Sequence, residues 1–224
     1  MKSLEKRHLN FKEIADMQDR LNAKADKKNP NWRAARTYQD FVLASVLEFA
    51  ELIESAPWKW WKKAADTDWW NLKIEAIDML HFMASAALLK GISDEDASYE
   101  LGYQNNEKTM PIFDDKHAFI NRDYAVELLN RVVTSSHDVK VIDEAMKCVG
   151  LEADEISAIY IAKYTLNEIR WAGGYDEGTY KKMKENGVED NVFLKAIVDK
   201  FKTDESLKLG DLSQLVRETM AELA

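Results

Sequence analysis

Two short acidic pairs constrain this chain more than any other feature in it. Glu48-Phe49-Ala50-Glu51 follows Leu47 and precedes Leu52, and Glu75-Ala76-Ile77-Asp78 lies between Ile74 and Met79-Leu80. Carboxylates spaced i, i+3 project from one face of a helix. Set among core residues, they read as inward-facing rather than as a solvated stripe. Two such helices joined by a short connector can turn the four carboxylates toward one another. Four negative charges in one pocket are costly unless cations neutralise them. A donor set made only of oxygens suits hard Mg²⁺, with Mn²⁺ as a substitute.

The rest of the chain supplies the helices that such a pocket needs. No segment alternates convincingly between apolar and polar with period two, whereas helix-period patterns recur throughout. Eight glycines and three prolines in 224 residues leave few sites for hairpins or flexible linkers. The expectation is an all-α helical bundle, with residues 1–224 forming one domain. Apolar spacing predicts helices over about 8–26, 33–55 and 69–90. Asn29-Pro30-Asn31, Pro57 and Gly91 stop them. Ser93 and Asp96 form a candidate capping box. A polar loop is expected over 103–115, then helices near 117–134, 136–148 and 152–172. An irregular stretch over 173–190 and a last helix capped by Asp211 with Gln214 complete the chain. Residues 192–224 read as a helical extension without a motif.

Composition narrows the classes of partner. The 31 basic and 40 acidic side chains give a net charge of −9, and no long basic stretch appears, so nucleic acid is not expected as a partner. No run of 18 apolar residues is present, so no membrane span is expected. The single cysteine, Cys148, fits a reducing compartment. With no apolar leader in MKSLEKRHLNFKEIADM, the expected location is cytoplasmic.

The carboxylates alone leave other readings open. His81 follows Asp78 at i+3, and di-iron bundles use Glu-x-x-His on two helices. Glu5-x-x-His8 is the one further such pair. A helical interaction module stabilised by the acidic cluster is a third reading. We read His81 as a hydrogen-bonded core residue or a support for a neighbouring ligand.

Further motifs accompany the acidic pairs. Met17-Gln18-Asp19-Arg20-Leu21-Asn22 precedes them and Trp58-Lys59-Trp60-Trp61-Lys62 lies between them. Lys163-x-x-x-Asn167-x-x-Arg170, Gly174-Tyr175 and Glu189-Asp190-Asn191 follow. In this order, over about residues 18–191, the chain resembles the dimeric all-α dUTPases and the phage dCTP/dUTP pyrophosphatases. Both belong to the all-α nucleoside-triphosphate pyrophosphatase superfamily. The chain departs from the pattern at Trp171, where many relatives carry a polar residue.

The resemblance implies a homodimer that hydrolyses dUTP, and also dUDP, between the α- and β-phosphates to dUMP and pyrophosphate. The alternative is dCTP or a modified pyrimidine nucleotide as main substrate. It implies that Glu48, Glu51, Glu75 and Asp78 hold two or three Mg²⁺, with Glu48 or Glu51 as general base. Lys163, Asn167 and Arg170 share a helical stripe suited to phosphates. Tyr175, Lys182 and Asn191 are expected to join them at phosphate or sugar. Gln18 and Asn22, one turn apart, carry amides that can read a pyrimidine edge. Five of the seven tryptophans fall within 58–70. By motif, Trp58 and Trp61 are expected to stack on the base.

Overall fold

A computed structural model describes residues 7–29, 31–63, 66–103, 112–113 and 121–223, and among these the fold is all-α, with ten helices and no strand. α1 (Phe11–Ala25) opens on a capping box. Asn10 Oδ1 accepts from Glu13 N at 3.0 Å, and Glu13 Oε2 accepts from Asn10 N at 2.9 Å. Two donors that the helix start would otherwise leave orphaned are thereby satisfied.

The continuous helix expected over 33–55 is instead two, α2 (Trp32–Ala35) and α3 (Tyr38–Glu54). Apolar periodicity runs through the junction, but Thr37 is extended and caps α3. Its hydroxyl accepts from Asp40 N, and the Asp40 carboxylate accepts from Thr37 N at 2.7 Å. A Thr-x-x-Asp start signal outweighs continuity there. α4 (Trp69–Lys90) matches the expected span and ends at Gly91, whose φ of +89° carries the chain out of the helix. Ser93 caps the single turn α5 (Asp94–Ala97).

α6 (Arg122–Ser135) begins later than expected; residues 114–120 lie outside the described part, as does most of the expected 103–115 loop. α7 (Val139–Lys147), α8 (Ala153–Ala172), α9 (Asp190–Thr203) and α10 (Leu209–Glu222) follow. Asp211 does not cap α10 as expected. It sits in the first turn and accepts from Lys208 N at 2.7 Å, so the helix starts at Leu209.

α3 lies along α4, α1 packs on α4 and α8, and α8 carries α9 and α10. One contiguous apolar cluster runs from Leu9 to Met220. At its centre, Leu72, Ile74, Ile77, Met79, Leu80 and Met83 of α4 are fully buried, each contributing ~1.5–3 kcal/mol relative to exposure. Glu75, Asp78, His81 and Ser85 recur at three- and four-residue steps along one stripe of α4, and that stripe positions the site.

Candidate active site

α3 and α4 bring three of the expected carboxylates together. One oxygen each of Glu48, Glu51 and Glu75 lies within 4.8 Å of the others. Glu75 is buried, Glu48 half-buried and Glu51 exposed. Burial, then the charges of Asp78, Glu75 and Glu51, push the Glu48 carboxyl up to about 8. Burial, then Asp78, push Glu75 up to about 7. Burial and carboxylate crowding favour the protonated forms, and for Glu75 the Lys163 ammonium opposes this only in part. A hard divalent ion would replace those protons, so the donor chemistry fits Mg²⁺.

Asp78, the fourth carboxylate, is met by an ammonium from α8. Lys163 Nζ lies 2.9 Å from Asp78 Oδ2 and donates to Asn191 Oδ1 at 3.0 Å, with only 1% of its side chain exposed. Two turns on, Arg170 clamps the buried Asp190 through Nε at 3.0 Å and an Nη at 2.5 Å. That Nη also donates to Asn191 Oδ1 at 3.1 Å, and Tyr180 donates to Asp190 at 2.9 Å. Burial works against ionisation of Asp190, but the Arg170 hydrogen bonds hold its carboxyl below the usual range. The cationic stripe is therefore braced by the start of α9. Lys163 and Arg170 each keep an N–H beyond these contacts.

Carboxylates and cations meet at a cleft of about 250 Å³. Glu48 and Asp78 border it with Lys163, Asn167 and Arg170, and Gln18, Asn22, His81 and Phe82 line it from α1 and α4. Tyr175 and Lys182 stand at its rim, the Lys182 ammonium 5.4 Å from the Tyr175 ring centre. Trp171 meets that ring edge-on at 5.4 Å. The structure thus gathers most of the expected base and phosphate residues around one space.

Trp58 and Trp61 are elsewhere. They pack edge-to-face at 5.5 Å, and Trp58 lines a separate, smaller depression with Lys59 and Lys62. Trp58 Nε1 donates to Glu54, and Trp61 is 55% exposed. Trp69 and Trp70 pack against the core instead.

The amides are also differently employed than expected. Gln18 Nε2 donates to Asn22 Oδ1 at 2.7 Å, and Gln18 Oε1 faces His81 Nδ1 at 2.6 Å. His81, read from the sequence as a core or supporting residue, is a cleft residue as well. Its ring stacks on Tyr160 at 4.4 Å, and burial drives its pKa down to about 4. Its Nε2 is buried without a partner. Two signals in the sequence pointed to it, its i+3 spacing from Asp78 and the His81-Phe82 pair that follows the second acidic motif in the family's order. Asp190 was visible as part of Glu189-Asp190-Asn191, but its partner Arg170 lies twenty residues away and no local pattern joins them.

A family model described as dUTPase matches residues 10–175. The matched span holds the acidic pairs, Gln18, Asn22, His81, Lys163, Asn167 and Arg170, and ends at Tyr175; Lys182, Asp190 and Asn191 lie beyond it. A search of curated proteins gave no match to the chain.

Proposed function

Because this chain belongs to the all-α dUTPase family, whose activity is of the dUTP diphosphatase type, we propose that it hydrolyses dUTP, and dUDP as a second substrate, at the α–β phosphate bond. Water adds to phosphorus, the bond to the bridging oxygen breaks, and dUTP gives dUMP and pyrophosphate while dUDP gives dUMP and orthophosphate. The observation that carries this reading is the shared cleft. Clustered carboxylates, buried cations and polar side chains of α1 and α4 border one space sized for a small ligand.

Glu48, Glu51, Glu75 and Asp78 would hold two or three Mg²⁺, with Mn²⁺ able to substitute. Bound there, the metal would neutralise the carboxylates and polarise the phosphate oxygens. Glu48 lines the cleft and Glu51 does not, which favours Glu48 as the base taking the proton from the attacking water. Lys163, Asn167 and Arg170 offer donors to the phosphates, and Lys182 a further cation at the rim. Fixed donors of this kind stabilise charge that grows on the leaving pyrophosphate. Tyr175 and Asn191 position this wall, the first at the rim and the second by bridging Lys163 and Arg170. The di-iron alternative needs histidine ligands. Among the described residues the clustered group contains none, and His8 sits beside Glu100 and Asp154 instead.

We further propose a cytoplasmic homodimer. Leu43 and Leu47 on α3 are 65% and 63% exposed, and Val126 and Val133 stand exposed on the adjacent α6, an apolar face that suits a second copy. Among the described residues no helix is long and apolar enough to cross a membrane.

Pyrophosphate release from a panel of deoxynucleoside triphosphates, with Mg²⁺ and with chelator, tests the chemistry. Release from dUTP that depends on Mg²⁺ is expected. A preference for dCTP would install the alternative substrate, orthophosphate as product would move the cleaved bond, and no turnover would leave the interaction-module reading.

A further inference from the structure

The hydrogen bonds around His81 form a closed chain whose direction is set at one end. Ser85 Oγ lies 2.8 Å from the backbone oxygen of His81, one turn earlier on α4. A carbonyl oxygen only accepts, so the single hydroxyl proton of Ser85 points there. Ser85 Oγ must then accept from Asn22 Nδ2 at 2.9 Å. With its nitrogen so placed, Asn22 turns Oδ1 toward Gln18 Nε2 at 2.7 Å. Gln18 is left presenting Oε1 to His81 Nδ1 at 2.6 Å, and Tyr160 OH lies 3.3 Å from the same oxygen. Two acceptors cannot share a hydrogen bond, so Nδ1 carries the proton.

We infer that Ser85, Asn22 and Gln18 are positioning residues that lock His81 in its Nδ1–H tautomer, so that its bare Nε2 accepts the N3–H of a uracil base in the cleft. This deepens the proposed dUTP reading and rests on it. Nε2 is the one buried side-chain polar atom without a hydrogen-bond partner among the described residues, and it belongs to a cleft-lining side chain. The ring is neutral, since burial holds its pKa far below the usual imidazole range. An unpartnered buried acceptor carries a penalty that a ligand donor removes. Uracil offers N–H at position 3, whereas cytosine has a lone pair there, which would oppose the lone pair of Nε2. Discrimination of this kind, between a donor and an acceptor at a buried site, is stronger than any fit of size. The amides expected to read the base act one step back, by fixing what His81 shows it.

The test is ¹⁵N NMR of the full chain with labelled histidine, with Mg²⁺ and either dUMP, N3-methyl-dUMP or dCMP. In the free protein His81 should show a protonated Nδ1 and an unprotonated Nε2. Addition of dUMP should move the Nε2 resonance toward that of a hydrogen-bonded acceptor and leave Nδ1 in place. N3-methyl-dUMP and dCMP should leave Nε2 unmoved and bind at least ~10-fold more weakly, the weight of one such hydrogen bond. Ser85→Ala, which removes the anchor of the chain, should give mixed tautomers and shrink the dUMP/dCMP ratio. A protonated Nε2 in the free protein overturns the relay whatever binds. Equal binding of dUMP and N3-methyl-dUMP overturns the acceptor role and leaves the proposed hydrolysis standing. No binding of any of the three nucleotides overturns both.

Discussion

Replacing Glu48 by Gln should stabilise the metal-free protein while removing its activity. In the folded chain, burial and then Asp78, Glu75 and Glu51 push the Glu48 carboxyl from 4.5 up to about 8. A group whose pKa is raised on folding contributes stability below its unfolded value, and that contribution is lost as pH climbs through the folded one. At pH 9, with chelator, the wild type therefore carries the full cost of an ionised Glu48. The displacement corresponds to at most ~5 kcal/mol. Glu48 is half-buried and shares its proton with Glu75, so solvent screening leaves ~1–2 kcal/mol. For a chain of this size that is a gain of ~2–8 °C in Tm. Gln is near-isosteric with a protonated Glu, so the gain should shrink toward zero at pH 5. Saturating Mg²⁺ should reverse the order, because the wild type has the fuller set of ligands. Turnover should fall at least ~100-fold, or ~2.7 kcal/mol of barrier. Circular-dichroism melts of both proteins at the two pH values, with chelator and with Mg²⁺, read all of this. A variant that melts at or below the wild type at pH 9 in chelator would refute an uncompensated acidic cluster.

Three other outcomes are expected. Mg²⁺ at 100 times its Kd should raise stability by ~2.7 kcal/mol, read as a shift in urea midpoint, and chelator should remove it; an unmoved midpoint would count against a preformed site. Asp190→Ala leaves Arg170 buried without its carboxylate and should cost ~3 kcal/mol or more in equilibrium unfolding with an unchanged m-value; a change under ~1 kcal/mol would show the pair to be dispensable. His81, held near 4 by burial against an ordinary 6.5, lowers stability as pH falls between those values, because the unfolded chain takes up a proton the folded one refuses; the loss is ~3 kcal/mol. His81→Asn should flatten that part of the stability curve, and an unaltered slope would place the titration elsewhere.

The all-α fold, the spans of α1, α4 and α8, and the acidic pairs were legible in the sequence, because each depends on spacing within one helix. Apolar residues at helical period and carboxylates at i, i+3 encode which face turns inward, and that needs no partner. The family resemblance came from the order of such local motifs. The break at Thr37 was also local, but two valid signals competed there and the capping box won. What tertiary structure alone decided is the pairing of groups far apart in the chain. Lys163 meets Asp78, Arg170 meets Asp190, and Gln18 meets His81, across three separate helix contacts. Each pairing settles how many donors or acceptors remain for a ligand, and that remainder is what a site can use. Gln18 and Asn22 have the right chemistry to read a base, yet packing turns them onto each other and onto Ser85, and the free acceptor falls to His81. Trp58 and Trp61, grouped by the sequence with the base, stand outside the cleft because the chain turns away after Pro57 before α4 begins. Periodicity tells a side chain which way to face; only the neighbours brought there by folding determine which of its atoms are left unpaired.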